Sequence, residues 1–158
     1  MARFLLIRRL LLRFVQVGNR RRVLAAEAVL CLLAARLALI FVSFPHLSQR
    51  IGTLVPPTDP RVVKAGAGAS PEQIWIAKEV GWAVTRAARY MPFRAVCLPQ
   101  AMAAHRMLAR RGVASVMHIG AGRGETNPLN AHAWLDAAGV EVTGYPVAER
   151  LAEIACFV

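Results

Sequence analysis

The sequence predicts an α+β fold in one domain: a helical N-terminal half and a central helix packed on a small antiparallel sheet. Three observations predict it. Two stretches, 71–90 and 98–111, carry apolar residues at helical spacing between recognisable end signals. At Gly112 the apolar period changes from 3.6 to 2. Beyond it, 113–120, 131–136 and 140–143 alternate as half-buried strands do. At 158 residues the chain is one domain by length, and a domain near this size hides roughly 70% of its unfolded surface.

Taken in order, residues 1–22 form a basic amphipathic N-terminal segment, with Asn19 as a cap and a cluster at Arg20–Arg22, and 23–158 form the domain proper. Val23 to Phe44 reads as an apolar helix interrupted by Glu27 and Arg36 and ended by Pro45. Its length suits a bilayer, but each charge costs about 2.5–3.5 kcal/mol near the centre of one. Packing within the domain or against partners is therefore expected ahead of a membrane-surface anchor, and that ahead of a span. Residues 45–71 hold five prolines and three glycines and read as a linker. Ser70-Pro71-Glu72-Gln73 is a helix start, with the cap at Ser70 and proline at the first helical position. Trp75 and Trp82 are seven apart, share a face of this helix and read as core. Pro92 stops the helix, and 93–96 deliver the chain to Cys97. Pro99 sits in the first turn of the next helix, and Gly112 is its expected C-terminal cap. The segment 120–125 reads as a glycine loop, Ala138-Gly139 as a turn, and 147–158 as an apolar tail with a last helical turn.

Composition narrows the class. The chain is 56% hydrophobic, above the roughly 45–50% of a typical soluble domain. It carries 20 Lys+Arg against 9 Asp+Glu, a net charge of +11. Such a field attracts anionic partners, yet no zinc spacing, aromatic RNA-binding run or recognition helix accompanies it, so nucleic acid is not expected. The three cysteines, Cys31, Cys97 and Cys156, are an odd, unclustered set that argues against a disulfide framework and suits a reducing cytoplasm. Cys31 and Cys156 read as buried small apolar side chains. His46, His105 and His118 read as structural or surface residues, and no metal or cofactor is indicated.

The chemistry concentrates in Cys97 and His132. A thiol opening a helix meets the positive end of the helix dipole and free backbone N–H groups, which favour a thiolate and can hold the oxyanion of a tetrahedral intermediate. An imidazole on a neighbouring strand, in Asn130-Ala131-His132-Ala133-Trp134-Leu135-Asp136, can pair with that thiolate and then protonate a leaving amine. This is a papain-like or transglutaminase-like layout.

The blocks Cys97-Leu98-Pro99-Gln100-Ala101, Leu108-Ala109-Arg110-Arg111-Gly112-Val113, His118-Ile119-Gly120 and Ala131-His132-Ala133-Trp134-Leu135-Asp136, in that order, closely resemble the transglutaminase-like leader peptidase of lasso-peptide biosynthesis, the second B protein of those clusters. The resemblance spans roughly 20–158 and includes Leu24-Ala25-Ala26-Glu27-Ala28 and the Met91-Pro92-Phe93-Arg94 link, where the family often has Pro-Trp-Arg. It implies a cysteine protease that removes the leader from a ribosomally made precursor peptide. The implied partners are a separate leader-recognition domain protein and the ATP-dependent cyclase that closes the macrolactam. The basic, apolar N-terminal segments are expected to dock one of these partners or a membrane surface, and the location is expected to be cytoplasmic with membrane association allowed.

One departure stands out. The resemblance implies a Cys-His-Asp triad with the carboxylate on the strand after the histidine. A two-residue turn at Ala138-Gly139 sets residue 132 opposite residue 145, and neither Gly144 nor Tyr145 is acidic. Asp136 is the nearest acid and the named candidate, although four residues of extended strand span roughly 13 Å. The other options are a backbone carbonyl, Asn130, or no third group. Arg123 is a candidate contact for an acidic leader, with a solvated loop charge the plainer reading. Two rival functions remain: a catalytically inactive peptide-presenting module, motivated by the absent acid, and a basic membrane-associated helical protein whose thiol is incidental. An acyl transferase that passes the acyl group to an amine is a minor variant of the first.

Overall fold

A computed structural model describes residues 18–122 and 130–158. The described elements run α1 (Asn19–Phe41), α2 (Phe44–Ile51), β1 (Leu54–Val55), α3 (Pro60–Val63), α4 (Pro71–Ala88), α5 (Cys97–Ala109), β2 (Ser115–Gly122), β3 (Asn130–Ala137), β4 (Val140–Thr143) and β5 (Ala152–Phe157). This is the expected α+β class. The strands form one sheet in the order β1-β5-β2-β3-β4, with every described pairing antiparallel.

Local signals explain most boundaries. Ser70 accepts from the Gln73 backbone N–H, and the Gln73 side chain accepts from that of Ser70, a reciprocal cap that starts α4. Gly112 takes a φ of +66° just past α5, as expected of a C-terminal glycine. Ala138 and Gly139, with φ of 53° and 72°, make the tight turn between β3 and β4.

Other expectations are corrected. Pro45 begins α2 instead of only ending its predecessor, because proline fits the first turn of a helix, where its missing N–H is harmless. Gly18, not Asn19, occupies the cap position of α1. Arg20–Arg22 therefore lie inside that helix and not in a separate N-terminal segment. The supposed linker 45–71 contains α2, β1 and α3. The supposed helical tail is β5, which pairs with both β1 and β2.

Helices α4 and α5 lie on one face of the sheet, and α1 packs against both of them. Leu32, Val84, Ala104, Met107 and Leu108 meet Met117, Leu135 and Phe157 there, all essentially buried. Gly81 lets α4 lie directly on β4, since a Cβ at this position would sit 2.7 Å from the Val142 carbonyl oxygen. The opposite face holds a smaller apolar cluster of Val55, Val116 and Cys156, with Val62 against it.

Trp75 is not a core residue, whereas Trp82 is partly buried and packs against the main core. Trp75 is 41% exposed under the Arg20 guanidinium, whose carbon lies 4.2 Å from the ring centroid. Arg21 lies 5.0 Å over Trp82 and is also paired with Glu79. Alanine and valine fill the inner stripe of α4, and the indoles lie over its flank, where α1 arginines cover them. The two charges within the apolar stretch of α1 are likewise partnered: Glu27 accepts from Arg110 and Arg111 beyond α5, and Arg36 lies 5.9 Å over Phe93.

Candidate active site

Cys97 is the first residue of α5, with Val96 as the N-cap and no side chain capping the helix. The first turn therefore offers the N–H groups of Cys97 and Leu98 beside the thiol, while Pro99 has none to offer. Gln100 donates its backbone N–H to the Val96 carbonyl at 3.3 Å, and its side-chain amide donates to the Ala95 carbonyl at 2.6 Å. That bond holds the extended 93–96 link against the start of α5. The thiol is half-buried at the edge of the main core.

His132 lies on β3, opposite Gly120 of β2. Cys97 opens α5, which packs on the helical face of the sheet. The β2–β3 ladder is regular, and its alternation sends Ala133, Leu135 and Ala137 into the core shared with α5. His132, Trp134 and Asp136 face the other side. Among the described residues no hydrogen bond joins Cys97 to His132. The imidazole instead donates from Nε2 to the Gly144 carbonyl oxygen at 2.6 Å. A carbonyl only accepts, so Nε2 carries a proton, and in the neutral ring Nδ1 is the lone-pair nitrogen.

The partner of His132 is set by a register shift. The β3–β4 ladder pairs Asp136 with Glu141 but Leu135 with Thr143, so one extra residue, Val142, is bulged on β4. Residue 145 consequently does not come to stand opposite 132. Gly144, with φ +86°, lies against the backbone of Ala133 and Trp134 and turns its carbonyl to the imidazole.

Asp136 is not joined to His132. It accepts from the Tyr145 hydroxyl, and its Oδ2 lies 3.3 Å from Nε2 of His118. The reason is the one that made it doubtful in sequence: a carboxylate four residues along a strand is too distant, and nearer donors claim it. Burial, reinforced by the Asp136 carboxylate, pushes the Tyr145 hydroxyl well above its usual range. Arg123 lies outside the described residues, as does the Asn130 side chain.

Trp134 stacks on both histidines of this face, at 5.3 Å from His118 and 6.0 Å from His132 between ring centroids. Gly120 permits it, because a Cβ there would sit 2.7 Å from the indole. His118 is neither a surface residue nor idle: it contacts Glu153 through Nδ1, and Cys156 lies 3.6 Å from the same nitrogen. Burial opposes its protonation, but Asp136 and Glu153 outweigh that and raise its pKa. Sequence reading missed this group because its members come from two strands and lack any compact spacing.

Helix α1 is long and apolar enough to cross a membrane by length and composition, with 22% of its most apolar window buried. Leu30, Leu33, Leu37, Ile40 and Phe41 are exposed along it.

No curated protein and no solved structure matches the chain. The model of the transglutaminase-like superfamily matches residues 29–156, which include Cys97, His132 and the whole sheet apart from the last residue of β5. The chain therefore belongs to the transglutaminase-like superfamily, whose chemistry is generally that of cysteine proteases and acyl transferases.

Proposed function

We propose that this chain is a cysteine peptidase that removes the leader from a ribosomally synthesised lasso-peptide precursor before macrolactam formation. Cys97 is the nucleophile and His132 the base and later acid. The observation that carries the reading is the position of Cys97 at the uncapped start of α5, where two backbone N–H groups flank the thiol. The tautomer of His132 supports it, since Nδ1 is left unprotonated to take a thiol proton. The Gly144 carbonyl takes over part of the orienting role of a triad carboxylate, in the manner of a dyad. Cys97 opens a helix on one face of the sheet and His132 points to the other, so the peptidase reading requires the imidazole to swing to the α5 side when substrate binds, a larger rearrangement than the tightening of an existing contact.

The sequence motifs support the specific substrate, and they imply a separate leader-recognition protein and an ATP-dependent cyclase as partners. The exposed apolar stripe of α1, beside Arg20–Arg22, supports docking of this end to a partner or an anionic membrane surface.

A second reading is favoured by two observations among the described residues: Cys97 and His132 share no hydrogen bond, and no carboxylate contacts His132. Under it the chain presents a precursor peptide to another enzyme without cutting it. One assay separates the two. The chain is incubated with its clustered precursor and the separate recognition domain, and leader release is followed by mass. Release that disappears in Cys97→Ser and in His132→Ala supports the peptidase. Full release in either variant ends it, and precursor binding with no cleavage by the wild-type chain supports the presenting module.

A further inference from the structure

On the sheet face away from the helices, three side chains of different chemistry converge. His118 lies on β2, Glu153 and Cys156 on β5. The His118 Nδ1, a Glu153 carboxylate oxygen and the Cys156 sulfur all lie within 4.8 Å of one another. Cys156 is fully buried and His118 is 8% exposed. Cys156 Sγ is 2.8 Å from Glu153 Oε1 and 3.6 Å from His118 Nδ1.

The backbone is shaped to make this cluster. His118 and Cys156 are direct cross-strand partners. Residues 153 and 156 of a regular strand would face opposite ways. The β2–β5 ladder shifts between Ile119–Ala155 and Gly120–Glu153, leaving Ile154 as an extra, outward residue that is 58% exposed. That bulge turns Glu153 onto the face of Cys156 and His118. Bulges of this kind re-aim side chains at functional sites.

We infer that His118 Nδ1, Cys156 Sγ and Glu153 form a binding site for a borderline-soft divalent cation, with zinc the best match. The donor set decides the class. Imidazole and thiolate disfavour magnesium and calcium, which take oxygen ligands, whereas sulfur, nitrogen and carboxylate together suit zinc. Bonds of about 2.0 and 2.3 Å at a tetrahedral angle separate nitrogen and sulfur by about 3.5 Å, close to the 3.6 Å seen here. Glu153, whose side chain is 30% exposed, has room to move the short distance the cation requires.

The outer groups fit the same assignment. A metal-bound imidazole commonly directs its other N–H to a carboxylate. Nε2 of His118 is buried, has no aligned hydrogen bond, and faces Asp136 Oδ2 at 3.3 Å. Tyr145 in turn holds Asp136, and Trp134 stacks on the His118 ring. A cavity of about 220 Å³ lined by His118, Asp136, Glu141 and Tyr145 adjoins the outer side of the imidazole. Three protein ligands leave the fourth position for water.

Binding breaks the Cys156 S–H bond and releases that proton to solvent, while His118 gives up the Nδ1 proton it shares with Glu153 and keeps its N–H at Nε2, toward Asp136. Metal–sulfur and metal–nitrogen bonds form, and two anionic ligands balance the cation. The alternative, that Cys156 is a second nucleophile activated by His118 and Asp136, is disfavoured. The sulfur is inaccessible, and burial together with the Glu153 carboxylate pushes its pKa up to about 12.

The test uses the reduced, chelator-treated full chain titrated with Co²⁺ alone, following the thiolate-to-cobalt charge-transfer band. One Co²⁺ per chain is expected, displaced by Zn²⁺ and unaffected by Mg²⁺. The band is expected to vanish in Cys156→Ser and persist in Cys97→Ser. Affinity is expected to fall at least about tenfold in Glu153→Gln. Because Cys156 is fully buried and its serine variant can fail to fold, Glu153→Gln, at a half-exposed position, decides the matter in that event. No band in the wild-type chain, a band lost with Cys97, or unchanged affinity in folded Glu153→Gln overturns the assignment. None of these readouts depends on peptidase activity.

Discussion

His132 donates its Nε2–H to the carbonyl oxygen of Gly144, 2.6 Å away just beyond the end of β4. The bond joins the histidine of the family motif to a backbone group at the place where the lasso-peptidase resemblance implies a carboxylate. It sets the tautomer, but it lacks the negative charge that would stabilise an imidazolium.

Gly144 is the position that can be tested without touching either proposed catalytic side chain. Its φ of +86° disfavours any L side chain, and a Cβ would sit 2.5 Å from the Ala133 carbonyl oxygen and 2.7 Å from the Trp134 Cα. Gly144→Ala is expected to lose about 2–3 kcal/mol of stability, read as a lower urea midpoint at unchanged slope. Wild-type stability in this variant would contradict the close seating of the chain on β3.

The three cysteines should react in a fixed order. Burial, with help from Glu27, raises the Cys31 thiol above its usual pKa, and burial with Glu153 pushes Cys156 up to about 12. Both are buried, whereas Cys97 is half-open. A soluble alkylating reagent at neutral pH should label Cys97 first, by about tenfold or more over either of the others, as read by peptide mass. Under the peptidase reading the Cys97 rate also falls in His132→Ala. Equal labelling of all three would remove the distinction on which the site rests.

How far the sequence could be read depended on how local each signal was. The Ser70–Gln73 cap, the Gly112 stop and the Ala138-Gly139 turn are contained in a few residues, and each stands where it was expected. β5 was missed because the Ile154 bulge breaks the two-residue alternation that marks a strand. The same bulge hid the convergence of Glu153 with Cys156. The partner of His132 was missed for a related reason: the extra Val142 shifts the ladder by one residue, so the simple hairpin count pointed to 145. Trp75 of α4 lies at core spacing, but an arginine from another helix covers it, and periodicity within one helix carries no information about that.

Trp75 offers a direct check on that correction. Its ring is 41% exposed and its described partner is the guanidinium of Arg20. A cation–π contact at such a site contributes about 0.5–1 kcal/mol, whereas a buried indole replaced by alanine costs about 3–5 kcal/mol. Trp75→Ala is expected near the first value by chemical denaturation. A loss in the second range would restore the core reading.

Glu27 should make acid stability depend on one exchange between helices. Its carboxylate accepts from Arg111 and Arg110, and the Arg111 bonds hold its pKa below the usual range despite partial burial. A lowered folded-state value means that the contribution is fully present above the unfolded carboxylate pKa, about 4.3. It is lost as pH falls through the folded value. Discounted for solvent screening, it amounts to about 1 kcal/mol. Glu27→Gln is expected to lose that amount at neutral pH and nothing further below pH about 4, so the wild-type and variant stability curves should converge in acid. Parallel curves would place the linkage elsewhere.

The exposed face of α1 makes the last prediction. Leu30, Leu33, Leu37, Ile40 and Phe41 line its outer side, and Phe44 continues the stripe at the start of α2. Arg20 to Arg22 stand at the other end of α1, in a chain of net charge +11. An apolar stripe with a basic end binds an anionic bilayer by burying the stripe and attracting the headgroups. The chain is therefore expected to co-sediment with vesicles containing phosphatidylserine and to be released in high salt, where the Debye length falls to about 3 Å. Leu33→Glu with Leu37→Glu should weaken that binding without unfolding the domain, because both side chains are already exposed. Salt-insensitive binding would indicate insertion of α1 instead. No binding at all would assign the stripe to a protein partner.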